Sequence, residues 1–155
     1  PKRVREHALF ARLVESIGAG MGDDFDLAQR RFHRVLLLTD PDADGIHCRL
    51  LLAFFFHARM RPLVEAGHLE VANPPWAEVT RAGEALPRYA FSEAQFRAMC
   101  DEARAAGGEP VTGRYRGLAG LRPEVLRSTC VDPETRRTDV FGPDEVATAR
   151  ALMGG

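Results

Sequence analysis

The segment that most constrains the fold is residues 34–39 (RVLLLT), a short and almost wholly apolar run with an acidic cluster directly behind it. Such a run, with no polar alternation, predicts a strand buried on both faces, as in a parallel sheet. Residues 39–45 (TDPDADG) then place Asp40, Asp42 and Asp44 at alternate positions. After Gly45, residues 46–60 are apolar almost all the way round, which predicts a helix buried in a core. A buried strand, an acidic loop and a buried helix in that order open an α/β unit. In open sheets of that class ligands gather at the carboxyl ends of the strands, where this loop falls.

The rest of the chain continues the alternation of helix and strand. Residues 4–17 carry apolar side chains at helical spacing and stop at Gly18, residues 18–26 are a glycine- and aspartate-rich loop, and a helical turn is expected over 27–32. Pro62 should interrupt the apolar helix, because proline lacks the amide donor and disfavours helical backbone in the residue before it. Residues 68–73 read as the next strand, ended by Pro74 and Pro75. Residues 76–80 and 88–91 pair as a hairpin, and Ser92 caps a helix reaching about Ala106. A short strand over 111–115 and a helix from Pro123 to about Thr129 follow.

The length of 155 residues suits one domain with one core, and neither a repeat nor a low-complexity linker divides it. The longest apolar stretch, residues 50–56, is far short of a membrane span, so no membrane partner is expected. No signal-peptide pattern opens the chain, which begins at Pro1, and we expect a cytoplasmic piece of a longer protein. Cys48, Cys100 and Cys130 are widely spaced with no CxxC pair, which suggests neither a disulfide framework nor a zinc site. A net charge of −1 argues against gripping nucleic acid by bulk electrostatics. All basic residues but Lys2 are arginine, a bias that weakens any argument from arginine count.

Three like charges so close together repel, and a divalent cation is the usual remedy. Oxygen ligands of this kind suit magnesium or calcium rather than zinc. DPDADG matches the first half of an EF-hand loop, yet the twelfth position, where a bidentate glutamate is needed, is Leu51, and the ninth is Cys48. A strand also precedes the loop where an EF-hand has a helix. A solvated acidic turn that caps the next helix through Asp44 fits the residues as well, and the motif alone leaves both readings open.

The ordered segments narrow the choice. TDPDADG, the histidine and long apolar helix after it, and a strand ending in two prolines resemble the corresponding stretch of bacterial type II DNA topoisomerase B subunits, the DNA gyrase B and topoisomerase IV B family. The likeness extends upstream through residues 8–35 and downstream through GRYRGLAGLRPEVLRSTCVDPETR, and ends on a leucine-methionine-glycine at Leu152.

The resemblance implies a TOPRIM domain with a C-terminal extension over residues 1–155: an α/β, Rossmann-like, mostly parallel sheet flanked by helices. It implies Mg2+, with Mn2+ as a substitute, on Asp40 and Asp42, and Asp44 in support. By position, Arg49 and Arg116 are expected to contact DNA phosphate, and His47 either contacts DNA phosphate, braces Asp40 or packs on the fold without a chemical role, whereas Arg30, Arg31 and Arg34 are expected on a solvated face. The nucleophilic tyrosine would come from the topoisomerase A subunit, so no catalytic residue is expected in this chain, and Tyr89 and Tyr115 are packing residues with hydrogen-bonded hydroxyls. ATP would act only through a separate domain, and the whole isomerase would be a heterotetramer in which this subunit pairs with its own copy. The family's metal-binding glutamate would lie upstream of Pro1.

The chain departs from the family pattern at Arg116, where the family has a lysine, at Ala119, where it has a glycine, and at two positions that change charge. Glu78 stands where the family has a lysine, and Gly120 where it has a glutamate. These departures support an alternative, a divergent TOPRIM module that binds DNA or a partner subunit without cleaving.

Overall fold

The computed structural model describes residues 7–153. It is a mixed α/β structure with two three-stranded sheets, and it separates into two compact units. One comprises residues up to Leu37, Cys48–Val71 and the chain from Asp139; the other comprises Leu38–His47 and Ala72–Thr138.

The first unit is built on strands β1 (Val35–Leu37), β2 (Leu69–Ala72) and β6 (Thr138–Val140), in the order β1-β2-β6. β1 and β2 are parallel, with Val35 opposite Leu69 and Leu37 opposite Val71. Helix α1 (Ala8–Ile17) ends at Gly18, whose φ of 78° places it in the left-handed region while its amide donates to the Val14 carbonyl. That closure favours glycine. The first residues of the helix expected over 4–17 lie outside the described residues. Helix α2 (Ala43–Arg59) breaks at Met60, and α3 (Arg61–Glu65) restarts with Pro62 in its first turn, where a missing amide costs nothing. Phe56, Met60, Leu63, Val64 and Leu69 are fully enclosed and form one core with Leu37, Val71 and Val146.

Three expectations need correction here. β1 is shorter than expected and only its last residue is buried, with Leu38 already exposed. Helix α2 is not enclosed all round, for Ala53 and Phe56 are buried while Ile46 and Leu51 are 46% and 50% exposed. A helix packed on one side hides one stripe, whatever the composition of the other. Arg34 is not simply solvated: its Nη1 lies 2.7 Å from Oε1 of Glu70, a buried carboxylate on β2. The glutamate's burial calls for that partner.

The second unit holds an antiparallel sheet in the order β4-β3-β5, made of β3 (Ala77–Thr80), β4 (Arg88–Ala90) and β5 (Val111–Arg114). The β3–β4 pair is the expected hairpin. Helix α4 (Glu93–Ala105) starts at Ser92, whose side chain accepts from the Gln95 amide as a cap. Ala77, Val79, Ala90, Met99 and Cys100 make a second, separate core cluster, where length had suggested one core. Helix α5 (Pro123–Leu126) passes into a wider π-type turn over Arg127–Val131, and the chain returns through β6 to helix α6 (Pro143–Met153). Among the described residues of the second unit pairing is antiparallel throughout, since β3 runs opposite to both β4 and β5, and only the β3–β4 connection is a hairpin.

Candidate functional site

The acidic loop belongs to the second unit, and its geometry follows from where helix α2 starts. The chain turns helical at Ala43, so the extended alternation expected of the three aspartates stops at Asp42. Oδ1 of Asp42 accepts the Gly45 amide at 2.8 Å, which makes Asp42, and not Asp44, the residue that caps the helix. Asp44 sits in the first turn, where a negative charge opposes the positive end of the helix dipole.

Asp40 is fixed differently. Its Oδ1 accepts the backbone amide of Leu118 at 2.7 Å, from a segment 78 residues further along the chain. Two glycines let the backbone close around it. A Cβ at Gly45 would collide with the Asp40 carbonyl oxygen, and one at Gly117 would lie 2.9 Å from Oδ1. Glycine meets both close approaches because nothing larger than hydrogen fits. Each aspartate thus commits one oxygen to a backbone amide and keeps Oδ2 without a partner among the described residues.

Among the described residues no three carboxylate, histidine or cysteine side chains come together as a metal cage. Two exposed carboxylates with free oxygens nevertheless suit magnesium, which often takes one or two carboxylates and fills its other positions with water and phosphate oxygens.

Asp42 lines an open cleft of about 720 Å3 with Pro41, Trp76, Arg114, Tyr115 and Arg116. The Arg114 guanidinium lies 4.5 Å from the centre of the Trp76 ring and 5.4 Å from that of Phe96. A stacked guanidinium is held flat while its edge stays available to hydrogen-bond acceptors. Of the residues expected to meet DNA, Arg116 is exposed in this cleft. His47 is exposed on helix α2, and Arg49, further along it, is partly buried, with its pKa lowered by burial. Both lie outside the cleft lining, and Arg49 belongs to the first unit.

Sequence reasoning missed Trp76, Arg114 and the part played by Glu78. The last accepts a hydrogen bond from the Tyr115 hydroxyl and one from Arg122 Nη2 at 3.2 Å. Glu78 is therefore a paired side chain, and the Gly120 departure stands in open space. Both tyrosine hydroxyls are hydrogen-bonded, as expected, Tyr89 with Arg122. Gly113, a glycine inside a strand, was the available signal for a bulky neighbour opposite. The stacking of Arg114 had no local signal, since Phe96 comes from a separate helix.

No protein-family model matches the chain. Among curated proteins it is 37% identical over 134 residues to the DNA gyrase B subunit of Archaeoglobus fulgidus, covering 86% of this chain and 20% of that one. Its counterpart from Halalkalibacterium halodurans is 35% identical over 148 residues, 92% of this chain and 22% of that protein. That of Haloferax volcanii is 37% identical over 151 residues, 97% and 23%. The chain spans about a fifth of the length of the curated relatives it matches.

Proposed function

We propose that this chain, a homologue of one segment of the DNA gyrase B subunit, is the magnesium-binding part of a type II topoisomerase. In that role it supports cleavage and religation of DNA by a tyrosine of the A subunit. The observation that carries the reading is the pair Asp40 and Asp42, each held by a backbone amide and each keeping a free oxygen, beside a cleft that presents Arg114 and Arg116.

Asp40 and Asp42 would hold the cation as ligands and not as general bases. A divalent ion bound there offsets charge on phosphodiester oxygens and helps orient them. Around it, the Leu118 and Gly45 amides keep the two carboxylates from rotating, so their orientation is set before any ligand arrives. Arg116, and the exposed edge of Arg114, offer donors to phosphate. The near-zero net charge leaves these local contacts to carry DNA binding, which should weaken steeply with salt.

The proposal is completed by an A subunit as partner, by pairing of two B chains, and by an ATP-hydrolysing domain elsewhere in the protein. The alternative, a module that binds without cleaving, draws on Glu78, which places a carboxylate where the family pattern has a lysine. Its charge is, however, directed to Tyr115 and Arg122.

The test is cleavage of supercoiled plasmid with magnesium. The chain alone is expected to leave the plasmid intact, while the longer B chain with an A subunit nicks and religates it and the Asp40→Ala version of that complex does not. Nicking by the chain alone that disappears in Asp40→Ala would overturn the two-subunit reading, and an inactive wild-type complex would favour the binding-only alternative.

A further inference from the structure

Glu78 occupies the centre of the antiparallel sheet, with Tyr89 opposite it on β4 and Gly113 on β5. Its neighbours Ala77 and Val79 are buried, so the Glu78 side chain emerges on the other face. A Cβ at Gly113 would sit 3.2 Å from both Cγ and Oε1 of Glu78, and glycine there leaves the carboxylate room to turn toward the end of β5.

At that end a single oxygen, Oε2, receives both the Tyr115 hydroxyl and Arg122 Nη2, and the same Nη2 lies 3.3 Å from the Tyr89 hydroxyl. The Tyr115 amide also donates to the Trp76 carbonyl at 3.0 Å. Tyr115 and Arg122 bracket residues 116–121. That segment contains Gly117, which packs on the Asp40 carboxylate, the Leu118 amide that Asp40 accepts, and a 3-10 turn over Leu118–Gly120.

We propose that Glu78, Tyr115 and Arg122 are positioning residues that tie both ends of this segment to β3 and so hold the Leu118 amide on Asp40. The physical reason is loop closure: a short segment anchored at both ends has few conformations to lose when it meets its target. Hydrogen bonds to a carboxylate are strong enough to act as such anchors. Among the described residues the hydrogen bonds of these three side chains go to one another and to Tyr89, not to Asp40 or Asp42, and their effect passes through the backbone between them. The consequence for cation binding rests on the reading of Asp40 as a ligand, whereas the positioning itself does not.

Amide hydrogen exchange followed by NMR on the metal-free chain tests this, with Glu78→Gln and Tyr115→Phe beside the wild type. The Trp76 amide, bonded to the Ala90 carbonyl at 2.8 Å, serves as an internal reference for general loosening of the sheet. Exchange at Leu118 is expected to accelerate about tenfold or more relative to Trp76 in both variants. Manganese affinity, measured by calorimetry with Mn2+ alone, should fall about threefold to tenfold in the same variants. An unchanged ratio of Leu118 to Trp76 exchange in both variants overturns the positioning role, even if both proteins melt at lower temperature. Should the wild type bind no manganese, the cation reading fails, and the exchange ratio still decides the positioning.

Discussion

Leu118 donates its amide to Oδ1 of Asp40 at 2.7 Å, joining the acidic loop to a segment that no local sequence pattern connects with it. The bond fixes the orientation of the first aspartate, and the absence of a side chain at Gly117 permits it.

Gly117→Ala should therefore disturb Asp40 more than the small size of a methyl group suggests. The added Cβ would meet Oδ1 at 2.9 Å, so either the carboxylate or the segment must move. We expect a loss of about 1–3 kcal/mol in urea unfolding, the usual cost of forcing volume into a close contact. Gly120→Ala is the control, since nothing lies within 4 Å of its added Cβ, and it should unfold close to wild type.

Asp40 and Asp42 separate in their effects on stability. Asp42→Ala removes the helix cap and should cost about 1 kcal/mol, whereas Asp42→Asn keeps a capping oxygen and should cost little. Calorimetric titration with magnesium or manganese should give weak binding in the wild type and none in Asp40→Ala combined with Asp42→Ala. Equal binding by the wild type and the double variant would show that the ligands lie elsewhere.

The Arg34–Glu70 pair predicts an asymmetry between its two partners. Glu70 is buried and Arg34 half exposed, so Arg34→Ala strands a carboxylate inside the first unit and should cost about 2 kcal/mol. Glu70→Gln, which removes the charge that needs a partner, should cost less. Chemical unfolding of both variants at neutral pH decides it, and equal losses would mean that the carboxylate is better solvated than its burial indicates.

Tyr115 should make the chain sensitive to alkali. Burial, and the Glu78 carboxylate at its hydroxyl, raise its pKa above the ordinary value of 10.0. A raised pKa means that the folded chain holds a proton the unfolded chain releases first, so the stabilisation is complete below about pH 10 and declines as pH rises beyond it. Tyr115→Phe should flatten that decline in melting curves recorded between pH 9 and about 11. A wild type and variant that lose stability in parallel over this range would refute the assignment.

Much of the framework was written in the chain itself. The apolar run before the acidic loop placed β1, Gly18 and Pro62 ended or divided helices, Ser92 started α4, and the paired runs around Gly83 formed the β3–β4 hairpin. These are local effects of backbone sterics, caps and side-chain periodicity, so a window of a few residues contains their causes. The acidic loop, and its place after a strand, were legible for the same reason. Tertiary structure decided which carboxylate caps the helix, which amide reaches Asp40, which face of α2 is exposed, and that Glu78 binds Tyr115 and Arg122 rather than standing as a free negative charge. Each of those outcomes depends on groups brought together by strand register and loop closure across tens of residues, and the sequence around any one of them holds only half of the contact.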